Sequence, residues 1–548
     1  MRLGDTAYQQ LRSGFRWNIP ARVNIARAIS EAPAATRPDA PALIFADRDG
    51  SVRTFTCREL DELASRFANA LAGLGVGPGP IVGLNLAQCP ETVITHIAVA
   101  KLGAIVLPLA VLFGPDALRY RLTDSGASVL VTTGEGYDRC AAMLRHVPAL
   151  RHTVIADANG RAGNRDFWTL LERGASGRVA ADTAADDPAL MLYTSGTTGN
   201  PKGVLLAHRT ILGTSPGAAL IHDGLASQGG KPDDRIWTPA DWAWAGGLNG
   251  VLWPALLYGA PLVATPPMKF DPEWALDFMG RLEVRNAFIP PTALRFLRAI
   301  PTAKARAACD IRSLFTGGEK LGPDLIDWGR EAFGVTLSEA FGQTEGNVII
   351  GNSPKLFALR IGSMGRALPG HEVEIVDETG RVLPPGTPGM IALKRPNPVL
   401  MLEYWKQPEA TAAKFAGDWC LYGDIATKDV DGYFWFQGRN DDIIKSSGYR
   451  IGPGEVEDCL VQHPAVRLAG VIGVQDAVRG EAVTAFIVLA DGHDPSEALA
   501  ADIQAFVRTR LAAHEYPRQI HFIADMPMTV TGKIRRLDLR AMTGRPGK

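Results

Sequence analysis

Short apolar runs rich in β-branched residues alternate along the early chain with longer stretches whose apolar positions recur every three or four residues. "ALIFA" (42–46), "SVLVTT" (128–133) and "HTVIAD" (152–157) read as strands. "RELDELASRFANALAGLG" places Leu60, Leu63, Phe67 and Leu71 on one face and stops at glycines, the mark of a helix packed on a sheet. Strand and helix in alternation predict an α/β protein with largely parallel sheets.

The pattern changes near residue 362. From "GSMGRALPGHEVEIVDETGRVLPPGTPGMIALKRP" onward, short strands are separated by Gly/Pro turns, which predicts a β-rich subdomain over 362–440. A second change follows "YFWFQGRNDDIIKSSGYRIGPGEVE". There a unit of about 100 residues begins, a usual domain size. It opens on the helical "GEVEDCLVQHP", continues with strands at 466–474 and 482–489, and has a helix over 499–513. The expected architecture is an N-terminal region, 1–440, of two α/β sheet subdomains plus the β-rich subdomain. A small mobile α+β domain, 441–548, follows it.

Composition narrows the function classes. The chain has 548 residues, 57 basic against 58 acidic, so it offers no electrostatic footprint for nucleic acid or a membrane surface. Six cysteines lie far apart with no CxxC pair, which suits reduced thiols and a cytoplasmic location. The apolar stretch "LGAIVLPLAVLFGP" is too short to span a bilayer and contains Pro108. No integral membrane segment is expected, and the start "MRLGDTAYQQ" has no hydrophobic signal core. Oligomeric state is left open, a homodimer being one expectation.

Candidate chemistry concentrates in "YTSGTTGNPKGVLLAHR", 193–209. A phosphate loop of the GxxxxGK[ST] type is excluded: counted from Gly196, its second glycine is Pro201, and Gly203 follows Lys202. "ALMLY" before the loop and "GVLLA" after it are both strand-like, so the element is strand–loop–strand. Glycines allow close backbone approach to a ligand, hydroxyls donate, and Lys202 supplies a cation. On composition alone such a cluster is most often a solvated hairpin tip.

The whole pattern resembles the signature loop of the adenylate-forming superfamily: acyl-CoA synthetases, luciferases and peptide-synthetase adenylation domains. "FTGGEKLG", "EAFGQTEGN", "YGDIATKDVDGYFWFQGRNDDIIKSSGYRI" and "MTVTGKIRR" follow in the family's order. The resemblance, closest to short- and medium-chain acyl-CoA synthetases, implies a two-step reaction on a carboxylic acid, ATP and coenzyme A with Mg2+. The acid attacks the α-phosphate to give acyl-AMP and pyrophosphate, and a thiol then displaces AMP. Two anions must be brought together and charge stabilised on phosphorus, a task for cations rather than a nucleophilic side chain.

By that resemblance, Thr194, Ser195, Gly196, Thr197, Thr198, Gly199 and Lys202 form the phosphate loop. Gly318, Glu319, Lys320, Phe341, Gly342, Gln343, Thr344, Asp424, Arg439 and Arg450 contact the nucleotide, and Glu345 holds the metal. Lys533, with Glu345 and Thr344, carries the first step. Asp441 is the hinge about which the small domain turns for the second, bringing Gly448 and Tyr449 to a CoA channel. Trp244, Gly246 and Gly342 line the acyl pocket. Acetate-specific members carry tryptophan immediately before "QTE", and Gly342 in that place predicts an opened pocket for a medium-chain or branched aliphatic acid, with an aromatic acid as the alternative. A carrier-protein ligase, a luciferase-like oxygenase and a degenerate nucleotide-binding regulator share parts of the pattern. Retention of Lys202, Glu345, Asp424, Arg439 and Lys533 together argues against the last.

Overall fold

Helix 57–73 shows how local sequence builds the fold. Thr56 caps it by accepting from the Glu59 amide, while the Glu59 side chain accepts from the Thr56 amide, a reciprocal capping box. Its apolar face, with Leu60, Phe67 and Leu71, is buried. Helix Pro90–Lys101 is buried along its whole length. Both lie in the main core, which also takes in Leu43 and Phe55 from one sheet and Val82 and Val106 from another. Lys101 is buried there because its amine is paired at 2.9 Å with both Glu31 and Asp61.

The computed structural model describes the chain except residues 1–2, 159–164, 195–199, 226–233, 267, 319–320, 440–441, 443, 447–448, 477–478, 512–514, 530–532 and 544–548. Among the described residues the strands form three sheets, of fourteen, eight and five strands. The eight-stranded sheet has a parallel centre, continues through the antiparallel hairpin Pro188–Thr194 and Lys202–Ala207, and ends on that side in strand Glu403–Tyr404. In the largest sheet, strands Arg235–Trp237, Val284–Phe288, Ser313–Gly317 and Ser338–Gln343 run parallel, so the segments that follow them gather at one edge. Ligands bind α/β sheets at that edge.

The strand-rich segment after 362 is not a separate sheet. Strand Asn347–Gly351 pairs antiparallel with both Ser338–Gln343 and Gly365–Ala367, so the large sheet continues through it. The Gly/Pro texture marks a change from parallel to antiparallel connection rather than a break. The C-terminal sheet, centred on the antiparallel pair Val466–Asp476 and Gly480–Leu489, has its own core. Among the described residues no helix is long and apolar enough to cross a membrane.

Candidate active site

Lys202 opens the second strand of the hairpin and pairs with Thr194 at the last register position before the loop. Ser195, Gly196, Thr197, Thr198 and Gly199 lie outside the described residues, but their stem is firmly held. The Tyr193 hydroxyl donates to Asp124 at 2.5 Å, and the Tyr120 hydroxyl donates to the Pro201 carbonyl at 3.0 Å. Strand Glu403–Tyr404 pairs with the outer edge of Lys202–Ala207, and the Trp405 indole donates to the Asp124 carbonyl.

That edge strand joins the loop lysine to the metal candidate. Lys202 Nζ lies 5.2 Å from the centre of the Tyr404 ring, and the Tyr404 hydroxyl donates to Glu345 Oε1 at 2.6 Å. Glu345 is 8% exposed, and its carbonyl accepts from the Met401 amide. Burial, reinforced by the Glu345 charge, pushes the Tyr404 phenol well above its ordinary range, so it remains a donor. Thr344, half-buried, leads the turn that presents Glu345. The turn closes through Asn347, whose positive φ of 50° suits asparagine. The Asn347 side chain accepts from Asn249 and donates to the Val399 carbonyl.

On the opposite wall, Gln343 donates to the Tyr422 carbonyl at 2.6 Å and to Asp424, while Lys414 reaches Gln343 Oε1 at 3.3 Å. Asp424 is 5% exposed and sits across the strand pair from Arg439, with 3.9 Å between charged atoms. Burial raises the Asp424 carboxyl, and Arg439 opposes that shift.

The distant lysine reaches this same place. The Thr529 amide donates to the Lys533 carbonyl, and the Lys533 amide donates to Thr529 Oγ1, fixing the backbone that carries the side chain. Its Nζ lies 3.9 Å from where a β-carbon on Gly318 would stand, and its charge acts on Asp424. Gly318 has φ +94°, which a side chain would strain. Lys202, Lys414, Arg439 and Lys533 outnumber Glu345 and Asp424, a balance suited to polyphosphate.

Where the acyl pocket is expected, Trp242 is 1% exposed and belongs to the core, whereas Trp244 is half-buried with its ring 5.8 Å from Phe113. A β-carbon on Gly246 would touch the Phe288 ring at 3.0 Å, and Phe288 stacks on Phe315 at 4.5 Å. Asp241 has its carboxyl pushed up to about 6 by burial, although the amides of Ala243 and Val111 donate to it.

The reason for glycine at 342 differs from the expected one. A β-carbon there would fall 2.0 Å from the Asn347 carbonyl oxygen and 2.7 Å from the Val348 Cα. The backbone of strand Asn347–Gly351 occupies the direction a side chain would take, at a register shift between Phe341 and Gly342. Gly342 permits close strand approach there; it does not leave that volume open. Phe341 instead packs toward Tyr422 and Phe436, 6.0 and 6.4 Å between ring centres.

Tyr449 and Arg450 belong to strand Tyr449–Ile451, which pairs with Ile444–Ser446. Glu319, Lys320, Asp441 and Gly448 lie outside the described residues. Sequence reasoning missed Tyr404 and Lys414. "LEYWKQ" and "TAAKFAG" carry no motif, and only the sheet pairing of the 403–404 strand brings Tyr404 to Glu345.

The family model for AMP-binding enzymes matches residues 30–405, and that for the AMP-binding enzyme C-terminal domain matches 455–533. The chain is 36% identical over 511 residues to the mitochondrial acyl-coenzyme A synthetase ACSM5 of Mus musculus, covering 92% of this chain and 87% of that one. It is 36% identical over 522 residues to the acetyl-coenzyme A synthetase of Bacillus subtilis, covering 94% and 89%. The solved anthranilate CoA ligase AuaEII, in complex with anthranoyl-AMP, superposes with a TM-score of 0.85 at 31% identity over 96% of this chain and 98% of that one.

Proposed function

The chain belongs to the AMP-binding enzyme family and is an AMP-forming acid–thiol ligase using ATP and coenzyme A, and from that premise we propose which acid it takes and how its residues act. The observation that carries the reading is the convergence of Lys202, Glu345, Asp424 and Lys533, which come from three different sheets or their loops, on one edge of the largest sheet.

In the first half-reaction a carboxylate oxygen attacks the α-phosphorus and the bond to the bridging oxygen of pyrophosphate breaks. Lys533, beside Gly318, holds the carboxylate and the α-phosphate together, while Lys202 and the 194–199 loop take the outgoing phosphates. Asp424 and Arg439 receive the ribose hydroxyls, Gly318 with Glu319 and Lys320 forms the adenine shelf, and Thr344 contacts the α-phosphate. Glu345 suits Mg2+: it is a hard oxygen donor with one oxygen already oriented. A hard cation bound to phosphates keeps few protein oxygens, and Glu345 Oε1 is already oriented by Tyr404. Bound there, Mg2+ would neutralise charge on the phosphates. In the second half-reaction the thiol sulfur attacks the acyl carbonyl carbon and AMP leaves, after the small domain has turned at Asp441 to bring Gly448 and Tyr449 to the thiol arm, while Arg450 is a phosphate contact.

The acid is proposed to be a medium-chain or branched aliphatic one. The segment that follows Trp244, Ala245 to Leu252, carries no aromatic side chain, which supports this reading. A second reading, an aromatic acid, is favoured by the stacked Phe288–Phe315 pair behind Gly246 and by likeness to the anthranilate ligase. All six cysteines are free thiols, which supports a cytoplasmic setting. Pyrophosphate release and CoA-dependent AMP formation with Mg-ATP, across acetate to decanoate plus benzoate and anthranilate, test the assignment. Turnover peaking beyond propionate supports the aliphatic reading, and a peak at benzoate or anthranilate replaces it with the aromatic one. Pyrophosphate release that ignores CoA would point to another acceptor.

A further inference from the structure

Tyr404 is 6% exposed and does two things at once. Its hydroxyl fixes Glu345 Oε1 at 2.6 Å, and its ring face carries the Lys202 ammonium at 5.2 Å. Its main chain is fixed in turn, pairing with Val204 and donating from its amide to Thr411 Oγ1 at 2.9 Å. Among the described residues Glu345 Oε2 makes no hydrogen bond, so the carboxylate is oriented on one side and available on the other. A rigid phenol therefore sets the spacing between a cation and a carboxylate that lie 143 positions apart (345 minus 202).

We infer that Tyr404 is a positioning residue that couples the phosphate-loop lysine to the metal-binding carboxylate, its hydroxyl aiming Glu345 at the nucleotide-bound Mg2+ and its ring aiming Lys202 at the phosphates. The inference rests on the reading of Glu345 as the Mg2+ ligand. It divides the residue into two parts with separable effects. The hydroxyl acts only through the metal. The ring acts on the nucleotide whether or not metal is present.

The test uses calorimetric titration of the full chain with Mg-ATP and, in EDTA, with metal-free ATP, alongside thermal unfolding of each variant. Tyr404→Phe keeps the ring and should weaken Mg-ATP binding about tenfold or more, the usual cost of losing a partner that orients a metal ligand, while metal-free ATP binds within about twofold of wild type. Tyr404→Leu should in addition weaken metal-free ATP several-fold, as expected for loss of a cation–aromatic contact of about 1 kcal/mol. Equal loss of both nucleotide forms in a folded Tyr404→Phe, or no loss of either, overturns the inference. Glu345→Gln separates the two levels. If it abolishes the preference for Mg-ATP while Tyr404→Phe retains it, the coupling fails and the metal site stands. If Glu345→Gln retains the preference, the reading of Glu345 itself fails and the coupling falls with it. Should Tyr404→Leu not fold, Tyr404→Phe alone decides.

Discussion

Lys533 brings a positive charge to Gly318 on an exposed side chain, its main chain hydrogen-bonded to Thr529. Removing it should leave the pocket intact and take away one preorganised charge. Lys533→Ala is expected to lower acyl-AMP formation by about 10²–10³-fold, measured as acid-dependent pyrophosphate release, while sparing thioester formation from supplied acyl-AMP. Equal loss of both half-reactions would refute that role. Asp241 offers a pH-dependent test at the same scale. Its carboxyl is held near 6, above the unfolded value, so the folded state binds its proton more tightly. That contribution is present at low pH and is lost as pH rises through about 6. Relative to wild type, Asp241→Asn should therefore gain stability between about pH 4 and 7, by about 1–3 kcal/mol in denaturant titrations at each pH. A constant difference would show that Asp241 does not titrate there.

Strand Ser338–Gln343 and its partner show what can be read from a pattern and what cannot. The hairpin Pro188–Thr194 and Lys202–Ala207 was legible because two apolar runs flank a polar, glycine-rich stretch. "EAFGQTEGN" carries a role only by its resemblance to the family's nucleotide segment; its residues form a strand end and the turn after it. The meaning of Gly342 was not legible. A sequence shows that a side chain is missing, but not that the carbonyl of Asn347 stands where it would be. Tyr404 was hidden for a related reason, since its partner Glu345 is 59 residues away and joined to it only through sheet register. Gly342→Ala should accordingly lower unfolding free energy by about 1–3 kcal/mol and shift the Asn347 turn, the range for forcing atoms into filled space. Denaturant melts of the purified variant check it, and unchanged stability would mean the two strands part without cost.

Across the whole molecule, Asp442 follows the proposed hinge position directly and is clamped by two arginines of helix Arg536–Met542. Arg540 donates to it at 3.0 Å, Arg536 lies at 3.6 Å, and Arg536 also grips Glu457 through two bonds of 2.6 and 2.7 Å. This ties the start of the small domain to the helix that begins three residues after Lys533. Any rotation at Asp441 would then carry the lysine with it. Asp441→Pro should permit adenylation yet block transfer to CoA, read out as pyrophosphate release without acyl-CoA. Unimpaired acyl-CoA synthesis would place the pivot elsewhere. The broad division at the C-terminal unit was legible from texture, because a new core begins there. The continuity of the large sheet past 362 was not, because strand pairing leaves no mark in composition.

The position of Lys533 beside Gly318 also has a bearing on how the chain is made and broken. Every other member of the polar cluster, Lys202, Glu345, Lys414, Asp424 and Arg439, lies at or before residue 439, so a ribosome completes that part of the cluster long before it adds the charge proposed to activate it. A nascent chain, or one clipped by a protease in the small domain, would lack that proposed charge while keeping the rest of the cluster.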